Sequence, residues 1–181
     1  MRGPILPLCV DLDGTLIEGD VTLKVLKIYI KLRFFNIFVA LFWLLRGRAY
    51  FKHKLAESVE LDAASLKYNR RLLEFILKKK GKGHPIFLAT ACNHVYADKV
   101  ADYLGIFDGV FASDDRINLR AAAKAQALIW IFGRKGFIYV GNSEDDVHVW
   151  KASAECILVS PTKTALYRMR KRKYLLFEQR T

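Results

Sequence analysis

Five short apolar runs, spaced by longer segments with helical patterns, constrain this chain more than any single motif. They are Leu6 to Val10, Pro85 to Ala89, Gly109 to Ala112, Phe137 to Val140 and Cys156 to Val159. Each is apolar throughout and does not alternate, which is the pattern of a strand covered on both faces in a parallel sheet. Helical patterns lie over Val95 to Leu104, Arg120 to Phe132 and Ser143 to Ala152. The alternation predicts an α/β fold with a central parallel sheet and helices on both faces. Sheets of this kind bind ligands beyond the carboxyl ends of their strands. Asp11, Thr90 and Gly141 all fall at such ends, so a site is expected there.

Residues 20 to 81 break the alternation. They read as helices with no strand, an inserted cap between the first strand and the second. With 181 residues and 20.8 kDa the chain has room for one core and such a lid. The expected division is a core of residues 1–19 and 82–166, a helical cap of 20–81 and a basic tail of 167–181.

Inside the cap, Phe34 to Leu45 (FFNIFVALFWLL) is almost wholly apolar, with Lys31 and Arg33 before it and Arg46 and Arg48 after it. This stretch is too short to span the roughly 30 Å of a bilayer, which takes about 20 residues. Three readings stay open: a helix buried between cap and core, a membrane-interface helix with basic flanks, and a groove for a lipid tail. The net charge of +12 favours anionic partners, among them phosphorylated substrates and anionic membrane surfaces. The cluster Tyr167 to Lys173 (YRMRKRK) is either a solvated charged face or a contact for lipid headgroups. Nucleic acid is not expected, because no recognition module accompanies the charge.

Cys9, Cys92 and Cys156 are far apart in apolar surroundings, as expected of free thiols in a reducing compartment. The four histidines show no ligand-like pairing, so zinc is not expected. PILPLCV is too short for the apolar region of a secretory signal and is cut off by Asp11. A cytoplasmic protein is the localisation these features suggest, with a peripheral place at the inner face of the membrane as the option that the apolar stretch and the basic cluster leave open.

Four pieces of chemistry line up in order. Asp11-Leu12-Asp13-Gly14-Thr15 follows the first strand, and Thr90 closes the run PIFLAT. Lys124 opens a helix in KAQAL, and the loop Gly141-Asn142-Ser143-Glu144-Asp145-Asp146 follows another strand. Taken alone, Asp13-Gly14 is a common turn dipeptide, Lys124 a solvated helix charge, and Asp146 a first-turn carboxylate. The order and strand context of all four resemble the haloacid dehalogenase (HAD) superfamily of aspartate-nucleophile phosphotransferases. Longer stretches, PLCVDLDGTL, WLLRGRAYFKHKLAE, FLATACN, NLRAAAKAQAL and YVGNSEDDVHVW, look like the HAD-type domain found ahead of UbiA-type prenyltransferases in bacterial membrane proteins.

The resemblance implies a Rossmann-like three-layer core with an all-helical cap inserted after the first strand. It implies a Mg²⁺-dependent phosphomonoester hydrolase with Asp11 as nucleophile and Asp13 as general acid and base. Asp13 would protonate the leaving oxygen and then activate the water that cleaves the aspartyl-phosphate. Mg²⁺ would be held by the Asp11 side chain, the Asp13 backbone carbonyl and Asp146. Lys124 would neutralise the phosphoryl oxygens, with Arg120 as the fallback cation, while Thr90, Ala91 and Gly14 would bind the phosphate. Asp145 is the neighbour that competes with Asp146 for the metal.

The position after Gly141 is usually aspartate in the superfamily and is Asn142 here, which removes one negative charge near the metal. The implied substrate is lipid-linked, such as the phosphate of a polyprenyl-phosphoryl sugar, and the implied partner is a UbiA-type membrane prenyltransferase. A small-metabolite phosphatase, for example one for phosphoserine, stays open. So does a catalytically weak regulatory or docking domain for the prenyltransferase.

Overall fold

The computed structural model describes residues 5–177. Its element order is β1 (Leu8–Val10), α1 (Val21–Leu32), α2 (Asn36–Leu45), α3 (Arg48–Ser58), α4 (Arg70–Lys80), β2 (Ile86–Asn93), α5 (His94–Leu104), β3 (Gly109–Ser113), α6 (Ala122–Phe132), β4 (Ile138–Gly141), α7 (Val147–Ala152), β5 (Glu155–Val159), α8 (Lys163–Met169) and β6 (Leu175–Phe177). The six strands form one sheet in the order β3-β2-β1-β4-β5-β6. Every pairing is parallel, with Leu8 aligned to Ile86 on one side and to Ile138 on the other.

Alternate residues of the strands feed two apolar layers. Leu8, Val10, Ile86, Leu88, Ile138 and Val140 pack with Leu72 and Ile76 of α4 and Tyr96 and Val100 of α5. Cys9, Ala89, Tyr139 and Leu158 face the other way, against Leu128 of α6, Trp150 of α7 and Met169 of α8. Both faces are covered, which is why these strands read as unbroken apolar runs. The result is the three-layer α/β architecture that the alternation predicts.

The strand order places the switch in winding direction between β1 and β4. From β1 the chain crosses to β2 and β3 on one side, then returns to β4 on the other. A crevice opens at such a point beyond the strand ends. Asp11 leaves β1 there, its N–H bonded to the Val140 carbonyl at 2.9 Å.

Three features differ from the sequence reading. α4 lies in the stretch read as cap, yet its Leu72 and Ile76 are fully buried against the sheet, so it is a layer of the core. β2 continues beyond Ala89 to Asn93, which puts Thr90 inside the strand. Residues 175–177, read as tail, add β6 to the edge at β5, with Ile157 opposite Leu175. The short run Leu-Leu-Phe lies among basic residues, which hides its apolar signal. Residues 178–181 of that tail lie outside the described residues.

Candidate active site

The cleft beyond β1 and β4 has a volume of about 650 Å³. Its floor comes from the core and includes Asp11, Asp13, Gly14, Ala91, Lys124 and Asn142. Its wall comes from the cap, where Leu23, Leu44, Arg48, Phe51 and Lys52 line it.

Asp11 is buried at the bottom. Lys124 Nζ donates to Asp11 Oδ1 at 2.7 Å, and Thr15 Oγ donates to Asp11 Oδ2 at 3.1 Å. Lys124 is itself only 3% exposed, carried into the cleft by the first turn of α6. Its ammonium also donates to the Tyr139 hydroxyl at 2.9 Å and to Asp146 Oδ1 at 3.5 Å. Burial works against the Lys124 charge, but the two carboxylates beside it hold its pKa above the ordinary lysine value. Burial pushes the Asp11 carboxyl up to about 6, with Lys124 opposing and Asp146 adding to the rise.

Asp13 is partly buried and does two jobs at once. Its Oδ1 accepts the N–H of Val21 at 2.8 Å, the first residue of α1, and so ties the floor to the cap. Loss of hydration pushes its pKa up to about 7, helped by the charge of Asp20 and opposed by the Val21 N–H. Asp13 therefore carries a proton for much of the time near neutrality, as a general acid must. Gly14 takes the chain through φ 71°, and a Cβ there would sit 2.3 Å from Asn142 Nδ2. Only glycine suits both the left-handed turn and that approach. Its N–H donates to the Gly19 carbonyl at 2.8 Å, so it closes the loop.

Asp146 is buried beside Lys124 and densely hydrogen-bonded. Its Oδ2 accepts the N–H groups of Asn142 and Ser143, both at 3.0 Å, and the Ser143 hydroxyl at 3.1 Å. Its Oδ1 accepts the Tyr139 hydroxyl at 2.7 Å as well as Lys124. A carboxylate has about four lone-pair positions, and protein donors occupy those of Asp146. Burial raises its pKa, but Lys124 and these hydrogen bonds outweigh that and hold it below the ordinary value. Asp146 thus fixes Lys124 and its own loop through these hydrogen bonds. Gly141 is needed beneath it, because a Cβ there would lie 2.6 Å from Asp146 Cγ. From this loop, Asn142 and Asp145 are the oxygen donors that line the open cleft beside Asp146.

The geometry separates the two competing cations. Arg120 is exposed and pairs with Asp145, whereas Lys124 is the one that reaches Asp11. Thr90 is fully buried, and its hydroxyl accepts the Cys92 N–H at 2.9 Å. Ala91 lines the cleft instead, and its carbonyl accepts Lys52 Nζ and the Ser113 hydroxyl.

Sequence reasoning missed Tyr139, Thr15, Arg48 and Lys52. Tyr139 sits in an apolar strand and reads as core, and only the packing shows it on the Cys9 face, within reach of the cleft. Lys52 stands 39 residues from the Ala91 carbonyl it contacts, and no sequence signal predicts that.

A dication fits part of this site. Asp11 and the Asp13 carbonyl offer oxygen only, the donor type that hard cations take. Both carboxyls are raised by burial that the protein's own cations do not fully offset. Among the described residues no group of three or more His, Cys, Asp or Glu side chains is arranged to hold a metal.

No protein-family model matches the chain. A relative of unknown function, protein y4nM of Sinorhizobium fredii (strain NBRC 101917 / NGR234), is 34% identical over 166 residues. That match covers 85% of this chain and 30% of the relative, so the chain spans under a third of its length. A HAD-family hydrolase from Salmonella enterica serovar Typhi superposes with a TM-score of 0.66 at 13% identity, over 90% of this chain and 66% of that one. A substrate-bound phosphoserine phosphatase gives 0.70 at 15% identity, over 99% and 95% of the two chains. A phosphoserine phosphatase captured as a phospho-aspartyl intermediate analogue gives 0.68 at 16% identity, over 98% and 95%. The chain has the fold of the HAD hydrolases. The cleft described above lies beyond the ends of the paired strands β1 and β4, with cap residues along its wall.

Proposed function

We propose that this protein is a Mg²⁺-dependent phosphomonoester hydrolase that works through an aspartyl-phosphate on Asp11, with a lipid-linked phosphate as substrate. One observation carries the reading. A buried carboxylate is held by Lys124 at the floor of a cleft, and a second carboxyl two residues on keeps its proton near neutrality.

Asp11 would attack the phosphorus while Asp13 gives its proton to the departing oxygen. Water then cleaves the acyl phosphate, and Asp13 takes a proton from that water. Lys124 lies within reach of the charge that builds on the phosphoryl oxygens, fixed in place by Tyr139 and Asp146. Mg²⁺ bound at Asp11 and the Asp13 carbonyl would add charge neutralisation between two anions.

The cap wall supports an amphiphilic substrate, since Leu23, Leu44 and Phe51 line the cleft beside Arg48 and Lys52. The sequence likeness to domains ahead of UbiA-type prenyltransferases supports such an enzyme as partner, at the cytoplasmic face of a membrane. A second reading, a weakly active docking domain for that enzyme, draws on Asn142 and on the saturated carboxylate of Asp146.

Phosphate release with Mg²⁺, measured across sugar, lipid and amino-acid phosphates, tests both. Turnover by the wild type that Asp11→Asn abolishes is the expected result. A wild type no faster than Asp11→Asn on every ester would overturn catalysis and leave the docking reading.

A further inference from the structure

Helix α2 is apolar on every side, yet the fold covers only one narrow stripe of it. Ala40 is its single buried residue, and Trp43 is half-buried, stacked on Tyr29 with ring centroids 5.2 Å apart. Around the rest of the helix and the turn before it, Phe34, Phe35, Phe38, Leu41, Phe42 and Leu45 are between 54% and 86% exposed. Scattered exposed apolar residues are normal on a soluble protein, but a contiguous patch of large ones marks an interaction surface.

The charge around this patch says what covers it. Between Val21 and Ala56 the chain carries eight Lys and Arg residues and no Asp or Glu. Lys31 and Arg33 precede α2, and Arg46 and Arg48 follow it. Aromatic and aliphatic side chains rimmed by cations match the two layers of an anionic lipid surface, acyl chains below and phosphate headgroups above. Among the described residues no helix is long and apolar enough to cross a membrane, so the geometry is that of an element lying in the surface.

We propose that α2 docks this protein on an anionic bilayer, its phenylalanines in the acyl boundary and its flanking cations among the headgroups. The cleft adjoins that contact. Leu44, near the end of α2, and Arg48 and Phe51 of α3 are part of its wall. Docking through α2 therefore sets the cleft mouth at headgroup level, where the phosphate of a membrane lipid would enter past Arg48. This last consequence rests on the proposed phosphatase reading, whereas the docking itself does not.

The test is flotation of the whole chain with vesicles of phosphatidylcholine, with and without phosphatidylglycerol. Binding to the anionic vesicles is expected, weakening as salt is raised. The paired variant Phe38→Ser with Phe42→Ser should bind at least about tenfold less tightly, given the area each ring buries. Its thermal unfolding should match the wild type, because both rings are exposed. Arg33→Gln with Arg46→Gln should lose about fivefold per charge.

The three native cysteines are buried, so a fluorophore on Phe42→Cys reports position 42 alone. Its emission should shift blue on vesicles. A label that stays in water on the bound protein would overturn the proposal, as would equal binding by the serine variant. A dimer in solution that the serine variant dissociates would assign the face to a second copy, and binding only to protein-bearing membranes would assign it to a protein; either result overturns lipid docking. Asp11→Asn should bind vesicles like the wild type, so loss of its activity and loss of docking are read separately. If both readings hold, the serine variant loses turnover on a lipid phosphate in vesicles and keeps it on p-nitrophenyl phosphate.

Discussion

The floor of the cleft and the wall above it use similar residues in opposite ways. On the floor, Asp11, Lys124, Tyr139 and Asp146 are buried, and each is held by at least one of the others. On the wall, Arg48 is exposed, and Leu44 is 45% exposed beside it. A charge on the floor is fixed before any substrate arrives, which is what stabilising a transition state requires. A charge on the wall is free to meet whatever enters. On the proposed reading the floor does the chemistry and the wall the selection, and each variant below separates the two.

The largest effect expected is Asp11→Asn, with phosphate release falling on the order of 10⁴-fold or more, because the nucleophile acts as a unit with its partners. The fold should survive, since the asparagine oxygen still accepts from Lys124 and its amide nitrogen can donate to the Thr15 hydroxyl.

Next comes Lys124→Ala, which leaves Asp11 and Asp146 facing each other without a cation. Breaking a buried pair in this way costs about 3–5 kcal/mol, read as a lower urea midpoint. An unchanged midpoint would mean that the floor is hydrated and not the closed network described here.

The third is a pH effect on the metal-free protein. Burial pushes the Asp13 carboxyl up to about 7 in the folded state, from 3.8 for an ordinary aspartate. Between those values the native state keeps a proton that the unfolded state has lost, so stability falls as pH rises. Melting temperature should drop across that interval, and Asp13→Asn should flatten the slope. Mg²⁺ should restore stability at the upper end, because it favours the ionised forms.

The smallest is on the wall. Arg48→Gln should raise KM several-fold for an anionic substrate, with kcat and the urea midpoint unchanged. A fall in kcat would move Arg48 from selection into the chemistry.

Much of the floor was legible in the sequence, because its residues sit at the ends of strands. A buried parallel strand is an unbroken apolar run, so its end is easy to see; Asp11 follows one such end directly and Gly141 closes another. Less legible were the partners. Nothing local announced that the Asp146 carboxylate would accept from Lys124, Tyr139, Asn142 and Ser143. Tyr139 was hidden inside a run that reads as core.

The helices of residues 20–81 were harder still, as α4 and α2 show. α4 is rich in lysine and arginine, yet its few apolar residues at helical spacing bury Leu72 and Ile76 completely. α2 is nearly all apolar and buries only Ala40. Helical spacing tells which face is apolar, and nothing local tells whether another element covers it.

The sequence by itself determined the parallel α/β core and the position of the aspartate pair at the end of its first strand. These follow from local pattern, because strand burial and turn chemistry are written in consecutive residues. Only the tertiary structure decided that Lys124 and not Arg120 meets Asp11, that Asp146 is spent on hydrogen bonds, and that α2 lies bare beside the cleft. Each of those depends on distances between segments far apart in the chain, which side-chain packing sets and local pattern does not.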